Sequence, residues 1–217
     1  MTSHSQAKPR CTRPSALLAV VLAALVGALL AGCGSAPPSD INDGCVIFTE
    51  NDDWYDDAMD SYERWGVPVH VQLAIIYQES KFIDDAKAPR DTLLWVIPWG
   101  RKSSAYGYAQ VKDETWDWYI SKTGNRGADR DDFEDVVDFI GWYGNLSHRT
   151  LGISKWDAYR QYLAYHEGHG GYRRKTYANK PWLTKVARKV DQQAKRYHTQ
   201  LSHCQDELDR GSWFWPF

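Results

Sequence analysis

The sequence predicts an all-α domain. Several segments carry apolar residues at alternating spacings of three and four, no run alternates with period two for any length, and no internal repeat is visible. The first helix lies in "NDDWYDDAMDSYERWG", where Trp54, Ala58, Ser61 or Tyr62 and Trp65 form one stripe. Acids crowd its first turn, where they complement the helix dipole, and Gly66 is suited to end it. A second helix starts at once, because Pro68 fits a first turn and Val69, Leu73, Ile76 and Tyr77 follow at helical spacing. Glu79 then falls at or near its C-terminus.

Lys87 to Ser104 reads as a loop holding Pro89, Pro98, Gly100 and the apolar patch "LLWVIPW"; loops this long in compact domains are often functional. Asp113 or a neighbour caps a short helix through Trp116 and Tyr119. A further helix opens near Asp131 and turns Phe133, Val136, Val137 and Ile140 inward. Ser154 and Asp157 have the spacing of a capping box for a helix running to about His166. The last helix is the clearest: Pro181 sits in its first turn, and Leu183, Val186, Val190, Ala194, Tyr197, Leu201 and Cys204 form a continuous stripe.

Residues 1–32 read as an address. Lys8, Arg10 and Arg13 precede an apolar stretch from Ser15 to Leu30 of about 16 residues, short for a membrane span but suited to a secretory signal core. The stretch ends "LLAGC", which resembles a bacterial lipoprotein signal in which Cys33 is acylated and becomes the new N-terminus; an uncleaved anchor helix is the other reading. Gly rather than Asp at position 34 resembles the sorting signal for the outer membrane. The expected organisation is a signal peptide at 1–32, a lipidated Cys33 and flexible tether at 33–44, a domain at 45–210, and an aromatic tail at 211–217. That tail, "WFWPF" after Gly211 and Ser212, either folds back over the domain or touches membrane or glycan.

Of four cysteines, Cys11 leaves with the signal and Cys33 takes the lipid. Cys45 and Cys204 remain, and in an exported chain two thiols most simply form one disulfide. Closing so long a loop contributes about 4 to 5 kcal/mol in the chain-entropy picture. Removing residues 1–32 takes three of the 26 basic residues and none of the 28 acidic ones, so 23 face 28 and the net charge is −5. Such a balance argues against nucleic acid as a partner, which asks for a basic stripe. Eleven Trp and thirteen Tyr are many for one domain; they serve either the core or as flat walls for sugar rings.

A glutamate at a helix C-terminus faces the negative end of the dipole, and aromatic neighbours desolvate it. Both effects raise its pKa, which is what a general acid needs. Three separated stretches, in the same order, resemble the soluble lytic transglycosylases, a goose-lysozyme-like family. They are "QES" at Gln78 to Ser80, "YGYAQV" at Tyr106 to Val111, and "YLAYHEG" at Tyr162 to Gly168, and their spacing agrees approximately. The departures are His166 where the family usually has Asn, Tyr108-Ala109 in place of Leu-Met, and a longer Lys87 to Ser104 loop before the second stretch.

The resemblance implies a lysozyme-like fold and cleavage of the MurNAc–GlcNAc bond of peptidoglycan glycan strands. Glu79 would act as acid and then base, with no cofactor and no metal. It implies Ser80, Tyr108, Gln110, Tyr165 and His166 as substrate contacts, with Tyr165 hydrogen-bonding near Glu79. A hydrolytic muramidase on the same fold and a non-catalytic peptidoglycan-binding lipoprotein are the alternatives. For hydrolysis, Asp84, Asp85 or Asp91 would supply the second carboxylate unless they merely line a solvated loop. Glu167 is a second acid, a structural salt-bridge partner or a solvent-exposed residue. "HEGH" at His166 to His169 spaces its histidines by three, whereas zinc-binding H-E-x-x-H needs four. The expected location is the cell envelope, with the lipid on Cys33 in the membrane, most simply the outer membrane facing the periplasm.

Overall fold

The computed structural model describes residues 36–88, 90–93, 97–101 and 103–212. The signal segment, Cys33, the start of the tether and residues 213–217 of the tail lie outside the described residues. Among the described residues seven α-helices follow in order: α1 Gly44–Thr49, α2 Asp52–Trp65, α3 Val69–Glu79, α4 Asp113–Thr123, α5 Phe133–Leu151, α6 Ala158–Arg173 and α7 Pro181–Ser212. A short 3-10 turn, Thr176–Asn179, joins α6 to α7. The fold is all-α and lysozyme-like, with one correction to the expected loop. Within Lys87 to Ser104, β1 (Arg90–Leu93) pairs antiparallel with β2 (Ile97–Arg101), Leu93 opposite Ile97. The β-branched and aromatic residues of that segment favour extended pairing over coil.

Helix α3 is the buried centre. Val71, Leu73, Ala74 and Ile76 on its different sides are all fully enclosed, because α7 packs on it along one side and α2, α5 and α6 close the others. A helix apolar all round can only be a core helix, so the position of its last residue is set by the whole domain. Trp54 of α2 stacks on Phe133 of α5 at 4.0 Å between ring centres and, at 6.1 Å, on Phe82 just beyond α3. This cluster ties α2, the end of α3 and the start of α5 together.

Cys45 and Cys204 are joined, which clamps α1 to α7 across 159 residues. Gly44 N–H donates to the Gln200 side chain at 3.0 Å, and the Tyr197 hydroxyl donates to the Ile41 carbonyl, so the clamp is hydrogen-bonded on both sides. Lys112, the neighbour of Asp113, occupies the cap of α4, and Asp113 pairs with Arg130 at 2.8 Å. One helix start differs from expectation. Helix α6 opens at Asp157, whose carboxylate accepts from Arg160 N–H at 2.9 Å; Ser154 instead bonds Trp156 N–H in the preceding turn. It also runs past His166 to Arg173, through a kink at Gly168 with φ 69° and ψ 160°. Only glycine takes that conformation without strain, so this residue breaks the helical path into two pieces that meet at a kink.

Candidate active site

A groove of about 550 Å³ opens over the end of α3. Glu79 lies in its wall; Gln110, Val111 and Lys112 come from the segment before α4, Phe139 and Tyr143 from α5, and Tyr165 to Gly168 from α6. The three stretches that are far apart in sequence therefore meet in one cleft, because α3, α5 and α6 pack on one another beneath it.

Glu79 is partly open to the groove but otherwise enclosed. Burial pushes its carboxyl from 4.5 up to about 7, against the opposing pull of a hydrogen bond from Tyr162 and of the Lys81 charge. Desolvation thus outweighs two groups that favour the anion, and the acid holds its proton near neutrality. Tyr165 lies close enough to feel the Glu79 charge, and its hydroxyl donates to the Ala109 carbonyl at 2.6 Å. That bond secures the backbone beside Gln110, which is held in a left-handed conformation at φ 48°. The Gln110 amide donates to Ala86 and Gly107 carbonyls at 2.8 and 3.0 Å, so the second stretch is tied down from both sides. Gly107 is required there: with φ 78°, an added Cβ would lie 1.8 Å from the Arg130 carbonyl oxygen.

The family of transglycosylase SLT domains matches residues 20–204, most of the chain. The chain belongs to the transglycosylase SLT family. No curated protein and no solved structure gives a significant match. The family is one of transglycosylase-type enzymes acting on peptidoglycan glycan strands.

In this SLT domain the sequence-derived site residues separate into two groups. Glu79, Gln110, Tyr165 and His166 line the groove. Ser80 and Tyr108 do not, and their expected role as substrate contacts is corrected. Ser80 is 6 % exposed and ends α3, its backbone N–H donating to the Ile76 carbonyl at 3.0 Å. Tyr108 is 1 % exposed and packs edge-on against Trp54 and Phe133 at 5.7 and 5.9 Å, a core position that anchors the second stretch.

Sequence reasoning missed Phe139 and Tyr143 in the groove wall and Tyr162 beside Glu79, where the tyrosine hydroxyl favours the anion. For Tyr162 the signal was present, since it lies three residues before Tyr165 and so shares its helix face. Glu167 is resolved as an ion-pair partner. Its side chain is 3 % exposed and accepts from Lys180 at 2.7 Å, from His166 at 3.1 Å and from Thr176. Burial pushes its carboxyl up, but those bonds win and hold it at about 2, so it stays an anion and braces the turn at Gly168. Asp84 and Asp85 lie outside the groove lining, with Asp85 paired to Lys87 at 3.1 Å, and Asp91 stands on β1. The two histidines of "HEGH" diverge at the kink. His166 faces Glu167 and Trp182, whereas His169 bonds Ser147 at 2.9 Å and stacks on Tyr143.

Glu79 has one rival in acidity. Asp57 is also raised to about 7, by burial and then by Glu134, Asp132 and other acids, in a separate depression of about 430 Å³ walled by six carboxylates. Mutual repulsion contributes to that shift, and a wall of like charge would repel a glycan whose stem peptides carry carboxylates.

Proposed function

We propose that the protein is a lytic transglycosylase that cleaves the MurNAc–GlcNAc β-1,4 bond of peptidoglycan and leaves a 1,6-anhydroMurNAc end. The observation that carries this reading is one enclosed carboxyl, Glu79, raised to about 7 by burial in a groove whose other carboxyls are Glu167, held as an anion by its ion pair, and the exposed Glu114. Glu79 gives its proton to the glycosidic oxygen as the C1–O bond breaks, and GlcNAc leaves with a free 4-hydroxyl. The positive charge at C1 is shared with the N-acetyl group of the same MurNAc. Glu79, now an anion, takes the proton of the C6 hydroxyl, and O6 closes on C1. The carboxyl ends protonated, so one group serves as acid and base without a water nucleophile.

Tyr162 beside Glu79 favours the anion that stands after the first proton transfer, which keeps the raised pKa from rising further. Tyr165 and Gln110 would hold the glycan-facing backbone in place, and His166 would meet the sugar at the groove edge. We further propose that the chain works as an envelope lipoprotein, tethered through a lipid on Cys33 and most simply facing the periplasm from the outer membrane.

The test is mass spectrometry of muropeptides released from purified sacculi by the full chain and by Glu79→Gln. AnhydroMurNAc products from the parent, reduced roughly a hundred- to ten-thousandfold in the variant, support the reading. Reducing MurNAc ends would indicate hydrolysis instead. Binding to sacculi without release by either protein would indicate a non-catalytic role.

A further inference from the structure

The groove is a local cavity, but a glycan strand is a polymer, so the strand must leave it along a neighbouring surface. Helix α4 provides that exit. Glu114 and Thr115 line the groove, and Trp118 follows them at i+4 and i+3, on the same helix face one turn further out. Trp118 is 37 % exposed, one of the few large apolar side chains left open among the described residues.

Its surroundings brace it. Trp142 meets it at 4.9 Å and 74°, and His169 at 6.3 Å and 73°, so neither ring is stacked parallel on it. His169 in turn stacks on Tyr143 at 4.5 Å and 20°, and Tyr143 is a wall of the groove. The Ser147 hydroxyl fixes the far edge of the His169 ring at 2.9 Å. An uninterrupted aromatic path thus runs from the groove wall through Tyr143 and His169 to an open indole. Trp156, by contrast, is 56 % exposed beside His70 and His198, in a separate depression away from the groove.

We propose that Trp118 is a sugar-stacking platform: it binds the flat face of an amino-sugar ring of the glycan strand next beyond the groove, and so extends the site by one subsite. The inference rests on the glycan-cleaving reading above. Pyranose rings present apolar C–H faces that pack on indole, and an unstacked, braced ring loses little freedom on binding. Trp118 touches no reacting atom, so it sets preference for strand length and leaves the chemistry to Glu79.

The experiment is isothermal titration calorimetry of β-1,4 GlcNAc oligomers, two to six sugars long, against the full chain carrying Glu79→Gln, which prevents turnover. Adding Trp118→Ala should weaken binding of the longest oligomers roughly three- to tenfold and leave the shortest unchanged. Trp118→Phe should retain most of the affinity, and Trp156→Ala should change nothing. Because Trp118→Phe keeps an aromatic ring against Trp142, a loss through misfolding is separated from a loss of stacking. Equal affinity of the Trp118→Ala and parent proteins for every oligomer overturns the platform alone. If no oligomer binds any variant, the glycan reading and the platform fall together.

Discussion

Glu79→Gln tests the buried-acid argument through stability, independently of any substrate. The folded protein holds the Glu79 proton to about pH 7, whereas the unfolded chain releases it near 4.5. Between those values the folded state binds more protons than the unfolded one, so this group's contribution to stability falls as pH rises through the window and then levels off. At roughly 1.4 kcal/mol per pH unit, the interval corresponds to about 3 kcal/mol. Water at the groove mouth screens the charge, which makes about 3 kcal/mol a ceiling. Gln is neutral at every pH, and its side-chain oxygen can accept from Tyr162. The variant should therefore match the parent near pH 4.5 and exceed it above pH 7 by up to about 3 kcal/mol, roughly 6 to 12 °C in Tm for a domain of this size. Differential scanning calorimetry of both proteins from pH 4.5 to 8.5 reads this directly. A Tm difference that does not change with pH would refute the raised pKa, and with it the assignment of Glu79 as a resting acid.

Tyr162→Phe removes a bond that favours the anion, so the Glu79 pKa should rise further and the alkaline limb of the activity–pH profile should move upward; an unmoved limb would contradict the Tyr162 contact. Parent activity itself should fall as pH rises above about 7, because the acid form is required at the start of the cycle. Replacing both Cys45 and Cys204 with Ser opens a loop spanning 159 residues and should cost about 5 kcal/mol in the chain-entropy picture, read as a lower denaturation midpoint in urea. Gly107→Ala puts a Cβ against the Arg130 carbonyl at a left-handed φ, and should lower stability by about 2 kcal/mol or more and activity with it through displacement of Gln110.

Much of the frame was legible because its signals are local. The stripe ending at Trp65, the Gly66–Pro68 break and the apolar run from Val69 put Glu79 at a helix end, and the structure has it as the last residue of α3. Cys45 and Cys204 pair as the cysteine arithmetic required. Where local signals competed, the reading slipped. Ser154 and Asp157 both suit a cap, and only packing of α6 against α5 and α7 selects Asp157. The paired strands of the Lys87 to Ser104 segment were not legible, since the apolar "LLWVIPW" is interrupted by Pro98 and shows no sustained alternation.

The sequence by itself marked the helices from Asp52 onward and which carboxyl ends the central one, because helix periodicity and capping depend on neighbours within a few residues; the six-residue helix Gly44–Thr49 is too short to show such a period. Tertiary structure decided which hydroxyl Glu79 receives, that Tyr108 is core while Gln110 lines the groove, and that Glu167 is an ion-pair partner held as an anion. Each of these depends on distances across separate helices. Burial and the direction of a hydrogen bond are properties of packed neighbours, and no spacing along a single segment encodes them.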